Sequence, residues 1–158
     1  ISNSEEETKS IAARILNRFK SCLITQSLVF ALQGELGAGK TQFAKGLARA
    51  LGIKANIVSP TFTIIHEYPF GRGIKKRRRS DLLRFFHIDT WRLENGNELL
   101  DLGLESMLKP GNIVAVEWLQ KVKPILGKII KKKKARVVWV EIEALSESKR
   151  KIMFKLGA

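Results

Sequence analysis

The stretch GELGAGKT, residues 34 to 41, leaves this chain few folds to choose from. It follows the short apolar run SLVFAL (27 to 32), which reads as a buried strand. It precedes KTQFAKGLARALG (40 to 52), where Phe43, Leu47 and Leu51 share one helical face and Gly52 supplies a stop. Strand, glycine loop and helix in that order form a cradle for phosphate. The pattern G-x-x-x-x-G-K-[ST] needs glycines because its backbone has to wrap close to a polyphosphate and turn successive N–H groups inward. Gly34, Gly37 and Gly39 meet that need, with Glu35, Leu36 and Ala38 carrying the intervening backbone. The helix start adds its positive dipole end, Lys40 can reach the β- and γ-phosphates, and the Thr41 hydroxyl can bind Mg²⁺. A glycine turn without a ligand explains one or two of the glycines but not the Lys-Thr pair.

Phosphoryl chemistry at such a loop also calls for a carboxylate at a strand end, to hold the metal or orient a nucleophile. Two are available. Asp89 closes RFFHID, and Glu117 closes IVAVE, a hydrophobic run followed by an acid. Either alone is compatible with an ordinary strand-end acid; the two together after a phosphate loop point to nucleotide chemistry. His87 alternates with Asp89 on one strand face and could orient that carboxylate, although a structural histidine with its hydrogen bonds met is the simpler reading. Trp118 reads as packing at the edge of the sheet, and beside a nucleotide it could close the site.

The remaining pattern predicts an α/β chain. Ser4 and Glu7 form a capping box ahead of an amphipathic helix over 5 to 20. Residues 56 to 68, after the turn-like Ser59-Pro60, and 82 to 89 are strand-like and expected to pair, with an exposed basic hairpin loop at 71 to 80 between them. A short helix over 97 to 108 ends at Pro110-Gly111, a buried strand follows at 112 to 118, and ARVVWVEIEA and KIMFKL supply two more strands. The expectation is one domain over residues 1 to 158, a three-layer P-loop NTPase-like fold with helices flanking a mixed sheet.

Charge narrows the partners. With 29 basic and 15 acidic residues the net charge is +14, and clusters at Lys75 to Arg79 and Lys131 to Lys134 favour polyanions. Neither cluster is interleaved with the stacking aromatics of single-strand binders, and lysine runs in loops are commonly just solvated. The lone Cys22 cannot form an internal disulfide, has no metal-site spacing, and is expected in the core. No apolar run is long enough to cross a bilayer, so a soluble, cytoplasmic protein is expected.

Taken in order, GELGAGKT, SPTF (59 to 62), HEY (66 to 68), FHIDTWRL (86 to 93), ELLDLGLESML (98 to 108) and VEW (116 to 118) resemble the motifs of the bacterial TsaE (YjeE) family. The resemblance covers about residues 5 to 120. It implies a P-loop ATPase required to make threonylcarbamoyladenosine at position 37 of ANN-decoding tRNAs. Such an ATPase binds the TsaD and TsaB pair and resets it between turnovers; tRNA is expected to be met through that complex, with direct contact by the basic loops left open. It implies magnesium contacts for Thr41 and Glu117, a hydrolytic role for Asp89, and a γ-phosphate-sensing position for Thr61. Ser4 matches loosely the segment that lies near the adenine. DTWR stands where the family usually has DLYR, and the basic hairpin is longer than usual.

Two other readings compete with an accessory ATPase. A small P-loop kinase for a nucleoside or metabolite would carry an acceptor motif and an arginine-bearing lid. Arg77 to Arg79 could mimic the lid, but no acceptor motif accompanies them. A basic RNA-binding module with a vestigial nucleotide site is disfavoured because Lys40, Thr41, Asp89 and Glu117 are all present.

Overall fold

Residues 28 to 32 carry apolar side chains toward both faces, which suits a strand covered on both sides. β1 (Leu28–Gln33) accordingly lies inside the sheet, parallel to β4 (Ile113–Glu117) on one flank and to β5 (Arg136–Ala144) on the other. The computed structural model describes residues 1–60, 62–71 and 83–157. β3 (Leu83–Asp89) is parallel to β4, while β2 (Ile65–Phe70) and β6 (Arg150–Leu156) add antiparallel edges. The order is β2-β3-β4-β1-β5-β6, a mixed sheet as the sequence predicts.

The pleat sorts side chains into two cores. Phe30, Leu32, Phe85, Ala115 and Val138 face α1 (Glu5–Phe19) and α2 (Lys40–Ala50), meeting Ala12, Leu16, Phe43 and Leu47. Val29, Ala31, Ile88, Val114 and Val116 face the opposite layer of α3 (Asn97–Asp101), α4 (Leu104–Met107) and α5 (Lys123–Lys133). Three layers result. The same period of two puts His87 and Asp89 on the face of Phe85, and Glu117 on the face of Ala115, so all three acid–base groups point toward the α2 layer.

Helix α1 is seated by its first turn and by a close approach to α2. Ser4 Oγ accepts the Glu7 N–H at 3.1 Å, but Glu7 Oε2 answers to the Asn3 N–H at 2.7 Å and not to that of Ser4, so only half of the expected capping box forms. A Cβ at Gly46 would stand 2.4 Å from the Lys9 carbonyl oxygen and 2.8 Å from Ala12 Cβ, which is why a glycine lies inside α2. A backbone bridge between Ser2 and Arg150 ties the N-terminus to β6.

Several expectations are corrected. Regular strand begins only at Ile65, so Ser59 and Pro60 belong to an irregular approach that ends with Ile64 in the left-handed region. The helix over 97 to 108 is two short helices separated at Leu102 and Gly103. Lys131 to Lys134 do not sit in a loop: they form the last turn and cap of α5, where cations complement the helix dipole, and Lys132 Nζ meets Glu105 at 2.8 Å. Cys22 lies in a 3₁₀ turn, Lys20–Ile24, half-buried and outside both cores. The basic cluster at 75 to 79 falls outside the described residues, as does Thr61.

Candidate nucleotide site

The carboxyl ends of β1, β3 and β4 open onto a cleft of about 280 Å³ beside the start of α2. Leu36, Gly37, Gly39, Lys40 and Thr41 line it from the loop, Asp89, Glu117 and Trp118 from the strand ends, Ser4 from the start of α1, and Arg150 from β6, its side chain beside Gly39. This is the position at which open α/β sheets bind ligands.

All three loop glycines, Gly34, Gly37 and Gly39, have positive φ, and two of them show why. Gly34 has φ +149° and its missing Cβ would fall 2.4 Å from the Ile142 carbonyl oxygen of β5, so any side chain would collide with backbone. Gly39 caps α2 at φ +108° in the left-handed region, turning the chain into the helix. Between them the Ala38 N–H bonds the Glu35 carbonyl at 3.1 Å, with Ala38 buried behind the loop and Leu36 exposed at its tip. The N–H groups of the first turn of α2 have no partners within the helix and, with the dipole, favour an anion.

Lys40 is only 4% exposed. Its Nζ donates to the carbonyls of Gly34 at 2.8 Å and Glu35 at 2.9 Å and lies 3.9 Å from the centre of the Trp118 ring. Burial lowers its pKa from the ordinary lysine value, while the charges of Glu117, Asp89 and Glu35 work to raise it.

Asp89 and Glu117 are neighbours across the β3–β4 ladder, 3% and 2% exposed. The Thr41 hydroxyl donates to Glu117 Oε1 at 3.2 Å, and His87 Nε2 donates to the same oxygen at 2.7 Å. His87 therefore serves Glu117 and not Asp89, which corrects the sequence reading. Its buried Nδ1 has no hydrogen-bond partner among the described residues. Asp89 Oδ1 accepts the Trp91 N–H at 2.9 Å.

Trp118 does not sit at a lateral edge, since β4 is an interior strand. It follows that strand with φ +62°, an uncommon conformation for a large side chain. Thr90 braces it there: its single hydroxyl proton is shared between the Glu117 carbonyl at 2.9 Å and the Trp118 carbonyl. The bent backbone brings the indole over Lys40 and within 4.5 Å of the Trp91 ring, centre to centre. Thr90 and Arg150 escaped the sequence reading. Thr90 acts through backbone carbonyls, and Arg150 comes from a strand more than a hundred residues beyond the loop.

The donors are all hard oxygens: one hydroxyl, one carboxylate that touches it, and a second carboxylate alongside. Among the described residues no cluster of three or more His, Cys, Asp or Glu could cage an ion by itself. Such a set fits Mg²⁺, which keeps waters and shares its shell with substrate phosphates.

With this geometry in hand, sequence comparison supplies the family. The model described as threonylcarbamoyl adenosine biosynthesis protein TsaE matches residues 2–152. The chain belongs to the TsaE family. A Bacillus subtilis protein named for tRNA threonylcarbamoyladenosine biosynthesis is 40% identical over 113 residues, 72% of this chain and 61% of its own length. The chain thus spans less than two thirds of that relative. Family members from Rickettsia felis and Aquifex aeolicus are 32% and 35% identical, over 95% and 96% of this chain and 75% and 91% of their own. The crystal structure of Bacillus subtilis YdiB superposes with a TM-score of 0.58 at 28% identity, over 96% of this chain and 79% of that one.

Proposed function

We propose that this chain binds ATP with magnesium and hydrolyses it in the service of threonylcarbamoyladenosine formation in tRNA, acting on a TsaD–TsaB pair. The family's name carries the pathway. The observation that carries the chemistry is the meeting of Thr41 Oγ1 with Glu117 Oε1 at 3.2 Å, beside Asp89, at the mouth of a glycine loop.

In this reading the loop from Gly34 to Gly39 wraps the β- and γ-phosphates with backbone N–H groups, and the α2 dipole favours their charge. Lys40 exchanges its two carbonyl partners for phosphate oxygens, a trade its burial favours because a dianionic neighbour stabilises the ammonium. Thr41 and Glu117 would hold Mg²⁺, which when bound supplies charge neutralisation across the phosphates. Asp89 orients a water toward the γ-phosphate, and Trp118 covers the lysine and limits solvent access. Ser4, capping α1 and lining the cleft, is the residue this reading sets beside the nucleoside.

The test is ATP hydrolysis measured with and without TsaB and TsaD. Magnesium-dependent release of phosphate that rises on adding the pair supports the proposal. Transfer of the phosphoryl group to a small acceptor would replace it with the kinase reading.

A further inference from the structure

His87 is fully buried on β3, its ring nearly parallel to that of Phe85 at 19° and 6.5 Å. Packing alone does not ask for an imidazole there. A phenyl ring would fill much the same space without burying polar nitrogens, whereas His87 buries Nδ1 with no partner among the described residues. Its Nε2 is hydrogen-bonded to Glu117 Oε1 at 2.7 Å. An ionised carboxylate only accepts, so Nε2 carries the proton and the ring is held in that tautomer.

Oε1 thus receives two donors from different elements, His87 Nε2 of β3 and Thr41 Oγ1 of α2. Two donors converging on one oxygen fix the rotation of the carboxylate, and its other oxygen is set by the same constraint. Glu117 lines the cleft, and among the described residues both of these donors fall on Oε1 rather than Oε2. Donors behind a ligating group commonly orient it and tune its affinity.

We propose that His87 is the positioning residue of Glu117: its Nε2–H locks the carboxylate so that Glu117 presents a preset oxygen to the magnesium of a Mg·ATP complex. The inference rests on the magnesium-ATP reading above. An apolar ring at residue 87 would keep the fold but let the carboxylate rotate, weakening the metal's contribution to nucleotide binding and leaving the phosphate loop untouched.

The experiment is isothermal titration of ATP into the wild type, His87→Phe, His87→Gln and His87→Asn, each with excess Mg²⁺ and again in EDTA, with melting curves to verify folding. The readout is the ratio of the two affinities. The expected result is a fall of roughly 10- to 100-fold in that ratio for His87→Phe at unchanged affinity in EDTA. His87→Gln, whose amide reaches about as far as Nε2, should recover most of it, and the shorter His87→Asn should not. Should His87→Phe fail to fold, the Gln and Asn pair carries the same comparison. A folded His87→Phe with the wild-type ratio, equal losses with and without Mg²⁺, or equal behaviour of Gln and Asn would overturn the positioning role alone. A wild type whose ATP affinity ignores Mg²⁺ would overturn the magnesium reading and this inference with it.

Discussion

Asp89 and Glu117 stand opposite each other at the carboxyl ends of β3 and β4, both nearly inaccessible, yet they keep different company. Glu117 is gripped by His87 and Thr41, whereas Asp89 receives the Trp91 N–H. Their substitutions should therefore separate. Glu117→Gln should weaken Mg²⁺-dependent ATP binding, while Asp89→Asn should bind nucleotide and hydrolyse it slower by about 10²- to 10⁴-fold, the usual worth of a positioned proton acceptor. Equilibrium binding alongside single-turnover hydrolysis checks this; near-native turnover in both variants would put the catalytic carboxylate elsewhere.

Lys40→Ala should remain folded and lose nucleotide binding by tenfold or more. The loop turns at glycines with positive φ, which this substitution leaves in place. Circular dichroism establishes the fold and fluorescence titration, with Trp118 as the reporter beside Lys40, the affinity. Wild-type affinity in this variant would contradict the assignment of the loop.

Gly46→Leu should destabilise the protein by about 3 kcal/mol or more, since even a Cβ meets the Lys9 carbonyl and Ala12 across the α1–α2 contact. Denaturant unfolding measures it. Because α1 carries Ser4 to the cleft wall, ATP affinity should fall in the same variant.

Acid should loosen the start of α1. The backbone N–H of Asn3, and then its side-chain amide, hold the Glu7 carboxyl below its ordinary pKa of 4.5. A carboxyl whose folded pKa is depressed adds stability above its unfolded pKa, and that stability is lost as pH falls through the folded value. Glu7→Gln should therefore lower Tm slightly at neutral pH, with the gap to wild type closing as pH falls below 4.5. A gap that is constant with pH would remove Glu7 from the acid response.

Much of this site was legible because its parts are local. The loop from Gly34 to Thr41 announces itself in eight consecutive residues, and Asp89 and Glu117 each end an apolar run, so the pleat delivers them to the same end of a parallel ladder. The partner of His87 was not legible, because alternation along β3 places it with Asp89, whereas the hydrogen bond crosses to β4. The left-handed turn at Trp118 is braced by Thr90 through backbone carbonyls, contacts that leave no residue pattern. Helix α5 was hidden by its own lysines: Leu126, Ile129 and Ile130 form a buried stripe, but the following basic run reads as solvated loop.

The central claim is that the glycine loop, Thr41 and Glu117 together hold ATP with magnesium. Thr41→Ala tests it most directly, through ATP affinity titrated against Mg²⁺ concentration and compared with wild type. The account predicts that wild-type affinity rises with Mg²⁺ and that Thr41→Ala flattens this rise while keeping its affinity in EDTA. An identical Mg²⁺ dependence in the two proteins, or no ATP binding by the wild type, would contradict it.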